Sequence, residues 1–195
     1  GIDSLRHKGI FDATKTYDFY VEGCVENINK KTVEQKKFYV NSIDQASSLL
    51  KIKSENFSSD LTKRDFKFYY PQNIIDRLSI IKKEIIVNVY NLSDIIEKTL
   101  KSNEIIDFIK IDAEGKDLDI VKSIQNDFHR IKYIGLECSS HNNIDLEIFE
   151  NGAKLQDVIE FFKKNNFEIF NIIDYSIKEN NLTQMSDVVF KNTKI

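Results

Sequence analysis

Asp112, Glu114 and Gly115 close an apolar run in the stretch FIKIDAEGKDLDIV, residues 108–121. A buried strand has no use for carboxylates at its end, whereas a ligand site does. A carboxylate held in a partly dry cleft has a raised pKa and can serve as a general base, and several oxygens with one imidazole can hold a divalent cation. Lys110 alternates to the same strand face as Asp112, and Gly115 permits a sharp backbone turn or the close approach of a ligand. A second strand-like run, IKYIGLEC, brings Glu137 to its own carboxyl end, followed by Ser139, Ser140 and His141. If the two runs are neighbours, Asp112, Glu114, Glu137 and His141 converge on one edge. General base and cation ligand both remain open as uses. The plainer account puts Glu114 and Asp117 at a helix start, where a negative charge gains about 0.3–1 kcal/mol, with Asp112 as a cap. The chain has no GxSxG elbow and no HExxH pair, and neither cysteine is tied to a histidine by a local signature. Hydrolase chemistry by those routes is not expected.

The surrounding elements must position these groups. Leu5, Ile10 and Phe11 give the opening segment a helical face, and YDFYVEGCVEN follows as a strand. After the polar NKKTVEQ, KKFYVNS is predicted to pair with that strand as a hairpin. Residues 44–76, with the single proline Pro71, show no clean period and are expected to be largely irregular. EIIVNVY alternates as a strand, and NLSDIIEKTLKSN starts a helix that Asn91 or Ser93 can cap. IIDFIKID is apolar enough for a parallel strand covered on both faces. Leu118, Val121, Ile124 and Phe128 recur at helical spacing behind it, as do Leu155, Val158, Ile159 and Phe162 after IKYIGLEC. FEIFNII and SDVVFKN read as two last strands. Strands alternating with helices predict an α/β fold, a mostly parallel sheet with helices on both faces. Ligands of such sheets lie beyond the carboxyl ends of the strands, where Asp112 and Glu137 fall.

The whole-chain numbers agree with an ordinary globular domain: 195 residues, 41% apolar, 30% charged, formal net charge -3. They give no global reason to expect nucleic acid, and no run of about 18 apolar residues could span a bilayer. Cys24 and Cys138 are too far apart in sequence for a metal-type spacing, so both are expected to be buried thiols in a reducing cytoplasm.

At this point the motif carries a likeness. IIDFIKIDAEGKDLDIVKSI resembles the K-I-D-x-E-G-x-(E/D)-L-x-(V/I)-L-K-G motif of the FkbM-type S-adenosylmethionine-dependent methyltransferases. VEGCVEN, KKFYVN and QASSLL are similar in order and spacing to that family's third strand and turn, the strand after it and a Ser-Ser segment. VNVYNLSDII resembles the strand and helix start before the motif, YIGLEC the following strand, and MSDVVFKN the last antiparallel strand. The likeness runs from about residue 19 to the C-terminus. Lys116 and Asp117 stand where Ala-Glu is usual. It implies a Rossmann-like class I methyltransferase sheet, mostly parallel with an antiparallel last strand. Asp112 and Glu114, with Lys110, would line the transfer site beside the sulfonium of S-adenosylmethionine, and Glu137 would approach from the next strand. Gly23, Cys24, Val25 and Glu26 would lie against the adenine, with Asp112 also near the cofactor. Ser47, Ser48 and His141, with the aromatic FKFYY at 66–70, would sit on the side of a small-molecule substrate. The six glycines form no GxGxxG cluster, so residues 1–195 are expected to be a single partial domain lacking the first β-α-β unit. The expected activity is methyl transfer to a hydroxyl of a sugar or other small polar metabolite. The alternatives are a divalent-metal-assisted methyltransferase using Asp112, Glu114, Glu137 and His141, and a catalytically inactive Rossmann-like module.

Overall fold

The computed structural model describes residues 23–43, 46–52, 76–78, 80–139, 149–150, 152–174 and 185–195. The expected opening helix, the FKFYY segment, Ser140 and His141 lie outside them. In chain order the elements are β1 (Cys24–Val25), β2 (Glu34–Asn41), β3 (Ile81–Tyr90), α1 (Leu92–Thr99), β4 (Ile106–Ile111) and α2 (Asp117–Ser123). A 3-10 helix (Gln125–Arg130) follows, then β5 (Ile131–Ser139), α3 (Leu155–Lys164), β6 (Phe167–Asp174) and β7 (Met185–Asn192). None of the described helices is long and apolar enough to cross a membrane.

Four strands form one sheet in the order β4-β5-β7-β6. β4 and β5 pair in parallel, while β7 pairs antiparallel with both β5 and β6. Three strands therefore share a direction and the last one opposes them, as expected. Ile109 and Ile111 of β4, Ile134 and Leu136 of β5, and Val188 and Phe190 of β7 turn to one core. Three helices among the described residues supply its other side, through Ile96 of α1, Leu118 and Val121 of α2, and Val158 and Phe162 of α3. By the alternation of a pleated strand, Phe108 and Lys110 face the opposite way, and Phe108 is 51% exposed. The expectation of helices on both faces, and of β4 covered on both, thus does not hold among the described residues.

A second sheet has the order β1-β3-β2, with β1 parallel and β2 antiparallel to β3. The predicted hairpin of β2 with the preceding strand is therefore corrected, since β3 lies between them. β3 offers ten residues to the eight of β2, and Phe38, Val40 and Val89 bury together across that ladder with Ile85 and Val87 packed against them. β1 joins the two cores, because Cys24 belongs to this smaller cluster while Val25 packs against the larger one.

Local chemistry explains the helix ends. Asn91, not Ser93, caps α1: its side-chain oxygen accepts from the Ser93 N–H at 2.9 Å. The single helix expected over Leu118–Phe128 breaks at Ile124 into α2 and the 3-10 turn, yet all four of its apolar residues are buried. Asp127 and Arg130 lie three apart, the spacing at which a 3-10 turn stacks side chains. There the Asp127 carboxylate accepts from Arg130 at 2.9 Å and from Ser93 Oγ at 2.6 Å. This buried network holds the tighter winding and ties it to α1.

Phe162 is fully buried and stacks on Phe190 with ring centroids 3.9 Å apart. Phe162→Ala should cost about 3–5 kcal/mol in urea unfolding. Phe170, 61% exposed on β6 and edge-on to Tyr133 at 5.1 Å, should lose only about 0.5–1.5 kcal/mol in Phe170→Ser.

Candidate active site

β4 ends at Ile111, and the chain must turn at once to start α2 at Asp117. It does so with two consecutive positive φ angles, Glu114 at 50° and Gly115 at 93°, the sign pattern of a type I′ turn. The Lys116 N–H donates to the Ala113 carbonyl at 3.3 Å and closes the turn. Gly115 is needed here for space as well as for φ. A Cβ would stand 3.0 Å from Leu50 Cδ1 and 3.1 Å from Phe149 Cβ. Glu114 has no such freedom, and a left-handed non-glycine residue is a cost that its surroundings must offset.

Two ties offset it. Ser48 Oγ donates to the Glu114 carbonyl at 2.8 Å. The buried Asp117 carboxylate accepts the Ala113 N–H at 3.3 Å and the Gly115 N–H at 3.2 Å. Asp117 had been expected only as a favourable charge at a helix start, but it is the group that shapes the turn. The signal was a carboxylate two residues after a glycine, a spacing at which Asp side chains bond back to the local backbone.

The turn brings Asp112, Glu114 and Glu137 together, with one carboxylate oxygen of each within 4.8 Å of the others. Asp112 is exposed and the other two half-buried. Burial, then the charges of Glu137 and Asp112, push Glu114 up to about 9. Burial, then Asp112, Asp117 and Asp187, push Glu137 up to about 7, with Lys110 opposing. Burial likewise takes Asp117 up to about 6 although its backbone donors pull the other way. Lys110 forms an ion pair with Asp187 across the intervening strand β5. Sequence reasoning had missed Asp187. It becomes visible only through the β5–β7 register, which sets Glu137 opposite Asp187.

A model of the methyltransferase FkbM domain matches residues 14–169. The chain belongs to the FkbM methyltransferase family. No curated protein and no solved structure matches it. Methyltransferase domains of this kind generally use S-adenosylmethionine, and the carboxylates of Asp112, Glu114 and Glu137 are a donor set whose charge suits a cationic sulfonium. The same three oxygens are close enough together to hold a divalent cation.

The other expected residues fall as follows. Gly23, at φ 148°, lies where a Cβ would meet the Tyr90 ring at 2.7 Å, so it serves close packing of β1 on β3. Cys24 and Val25 point into the two cores, and their backbone pairs with β3. Both Glu26 oxygens are taken, by Lys116 at 2.7 Å and Lys36 at 2.6 Å. Burial raises Glu26, but the two lysines outweigh it and hold the carboxyl below its usual range. Ser47 Oγ accepts the Asn41 N–H at 3.0 Å, and Ser48 is the tie to Glu114. Cys24 and Cys138 are free and buried, and burial pushes them up to about 11 and 12, so neither is a ready nucleophile.

Raised carboxyls mean that the native state keeps protons the unfolded chain has lost, so their contribution to stability is full below about pH 4 and fades as pH climbs through 6, 7 and 9. Urea unfolding should give lower stability at pH 9 than at pH 6. Glu114→Gln should be more stable than the native chain at pH 9 and should flatten that slope.

Proposed function

We propose that this FkbM domain transfers a methyl group from S-adenosylmethionine to a hydroxyl of a sugar or other small polar metabolite. The observation that carries the reading is the gathering of Asp112, Glu114 and Glu137 at the carboxyl ends of β4 and β5, the place where open α/β sheets hold ligands. When bound, S-adenosylmethionine supplies the methyl group as an electrophile on a positively charged sulfur. Negative charge at this edge favours that cation and holds it beside the acceptor. The chain's part is to fix the acceptor oxygen in line with the methyl carbon, and such positioning is the largest contribution available to a displacement of this type.

The acceptor hydroxyl must lose its proton as its oxygen forms the new bond. Both Asp112 and Glu114 had been expected as bases. Glu114, pushed up to about 9, is protonated at neutral pH in the unliganded chain and is better placed to donate a hydrogen bond. Asp112, the exposed member of the cluster, is the base we favour, with Glu137 beside it able to share the proton near neutrality. Lys110, paired with Asp187, keeps a positive charge next to this edge and limits the rise at Glu137. His141, outside the described residues, is a further candidate for the substrate side.

A second reading has the same three oxygens hold a divalent cation that orients the acceptor, and their mutual separation supports it. Transfer to a panel of sugars and polar alcohols, followed as release of S-adenosylhomocysteine, tests both. Asp112→Asn should lower turnover about 100-fold or more while leaving the unfolding midpoint in place, and unchanged turnover would overturn the assignment. Full activity after exhaustive chelation would remove the metal reading. Absence of heat in calorimetric titration with S-adenosylhomocysteine would instead count against transfer by this chain on its own and leave the catalytically inactive module as the reading.

A further inference from the structure

Glu26 follows β1 directly, and its N–H donates to the Tyr90 carbonyl at 3.0 Å, which anchors it to the small sheet. Its carboxylate bridges the small sheet and the turn. Oε1 holds Lys116 at 2.7 Å, and Oε2 holds Lys36 of β2 at 2.6 Å. Lys116 is the residue that closes the strained turn, one position after Gly115 and two after Glu114. The Glu26 and Lys116 side chains are only 12% and 17% exposed, so the pair is poorly screened, and removing either partner leaves a largely buried charge. The second partner of Lys116 is Asp119 on α2, at 3.3 Å.

We propose that Glu26 is a positioning residue of the transfer site: through Lys116 it clamps the turn that carries Glu114 to the small sheet, and its carboxylate does not touch the cofactor. The clamp acts from the opposite end of the turn to the Ser48 tie on the Glu114 carbonyl. Together they grip both sides of a two-residue left-handed segment that has no helical or sheet hydrogen bonds of its own to hold it. A carboxylate with both oxygens occupied by lysines has little left to offer an adenine or ribose, so the backbone of Gly23–Glu26 is what remains for that purpose.

This inference rests on the proposed methyl transfer, and its test separates the two. In Glu26→Gln and in Lys116→Gln, kcat should fall about tenfold as the turn shifts by a fraction of an ångström. KM for the acceptor and the calorimetric Kd for S-adenosylhomocysteine should both stay within about twofold. The double variant should be no worse than either single one, because both act through one contact. Lys116→Arg, which keeps the charge, should retain most of kcat. Independently of any turnover, the Gly115 amide resonance in a proton–nitrogen correlation spectrum should move in both single variants. A Glu26→Gln protein that loses S-adenosylhomocysteine affinity while keeping kcat would overturn the proposal and make Glu26 a cofactor ligand. An unmoved Gly115 amide would overturn it even if the chain transfers no methyl group at all.

Discussion

A chain leaving a parallel strand has only a few residues in which to turn before it can start a helix. Here that turn places two successive residues in left-handed conformations, and one of them is Glu114. A non-glycine residue there stores a cost of order 1–3 kcal/mol, so it persists only where the surroundings over-determine it. The Asp117 carboxylate takes two of the turn's N–H groups, Ser48 takes the Glu114 carbonyl, and Glu26 takes Lys116. Leu50 and Phe149 leave no room beside Gly115 for a side chain. The position of Glu114 at this edge depends on that set of ties.

Electrostatics follow from the geometry. Three carboxylates within 4.8 Å, with Asp117 and Asp187 close by, cannot all ionise cheaply, and burial adds to the cost. The unliganded cluster therefore holds protons near neutrality, and Lys110 eases part of the rise at Glu137. A cation arriving at this edge would reverse the balance and draw protons off. Ligand binding and carboxylate ionisation are thus coupled, as one expects where a positively charged cofactor and a proton-losing acceptor share a site.

The turn also sits where the two sheets meet. β1 sends Cys24 into one core and Val25 into the other. Ile52 and Phe149 form an isolated bridge beside the turn, and the Glu150 N–H donates to the Lys51 carbonyl at 3.0 Å. The smaller sheet thus acts as a brace for the acidic edge of the larger one. The apolar residues on the other face of the larger sheet, Phe108 and Phe170 among them, stay exposed, and the three described helices pack on the side away from Phe108.

Much of this was legible in the residues alone. The apolar run ending in Asp112, the glycine that turns it and the approach of Glu137 follow from short-range rules, because side-chain period and turn chemistry act over a few residues, while the direction of the last strand came with the family likeness. The break of the long helix at Ile124, the placing of β3 between β1 and β2, and the roles of Asp187, Ser48 and Glu26 did not. Each depends on contacts between residues far apart in the chain, the helix break through Ser93 on Asp127. The Glu26–Lys116 pair and the opposition of Glu137 to Asp187 exist only once strand register and the packing of two cores have been chosen, and those are settled by the summed burial of many side chains, not by any local pattern. The sequence by itself determined which groups could do chemistry and at which end of the sheet. Tertiary structure alone decided how close those groups stand, and therefore which of them hold a proton.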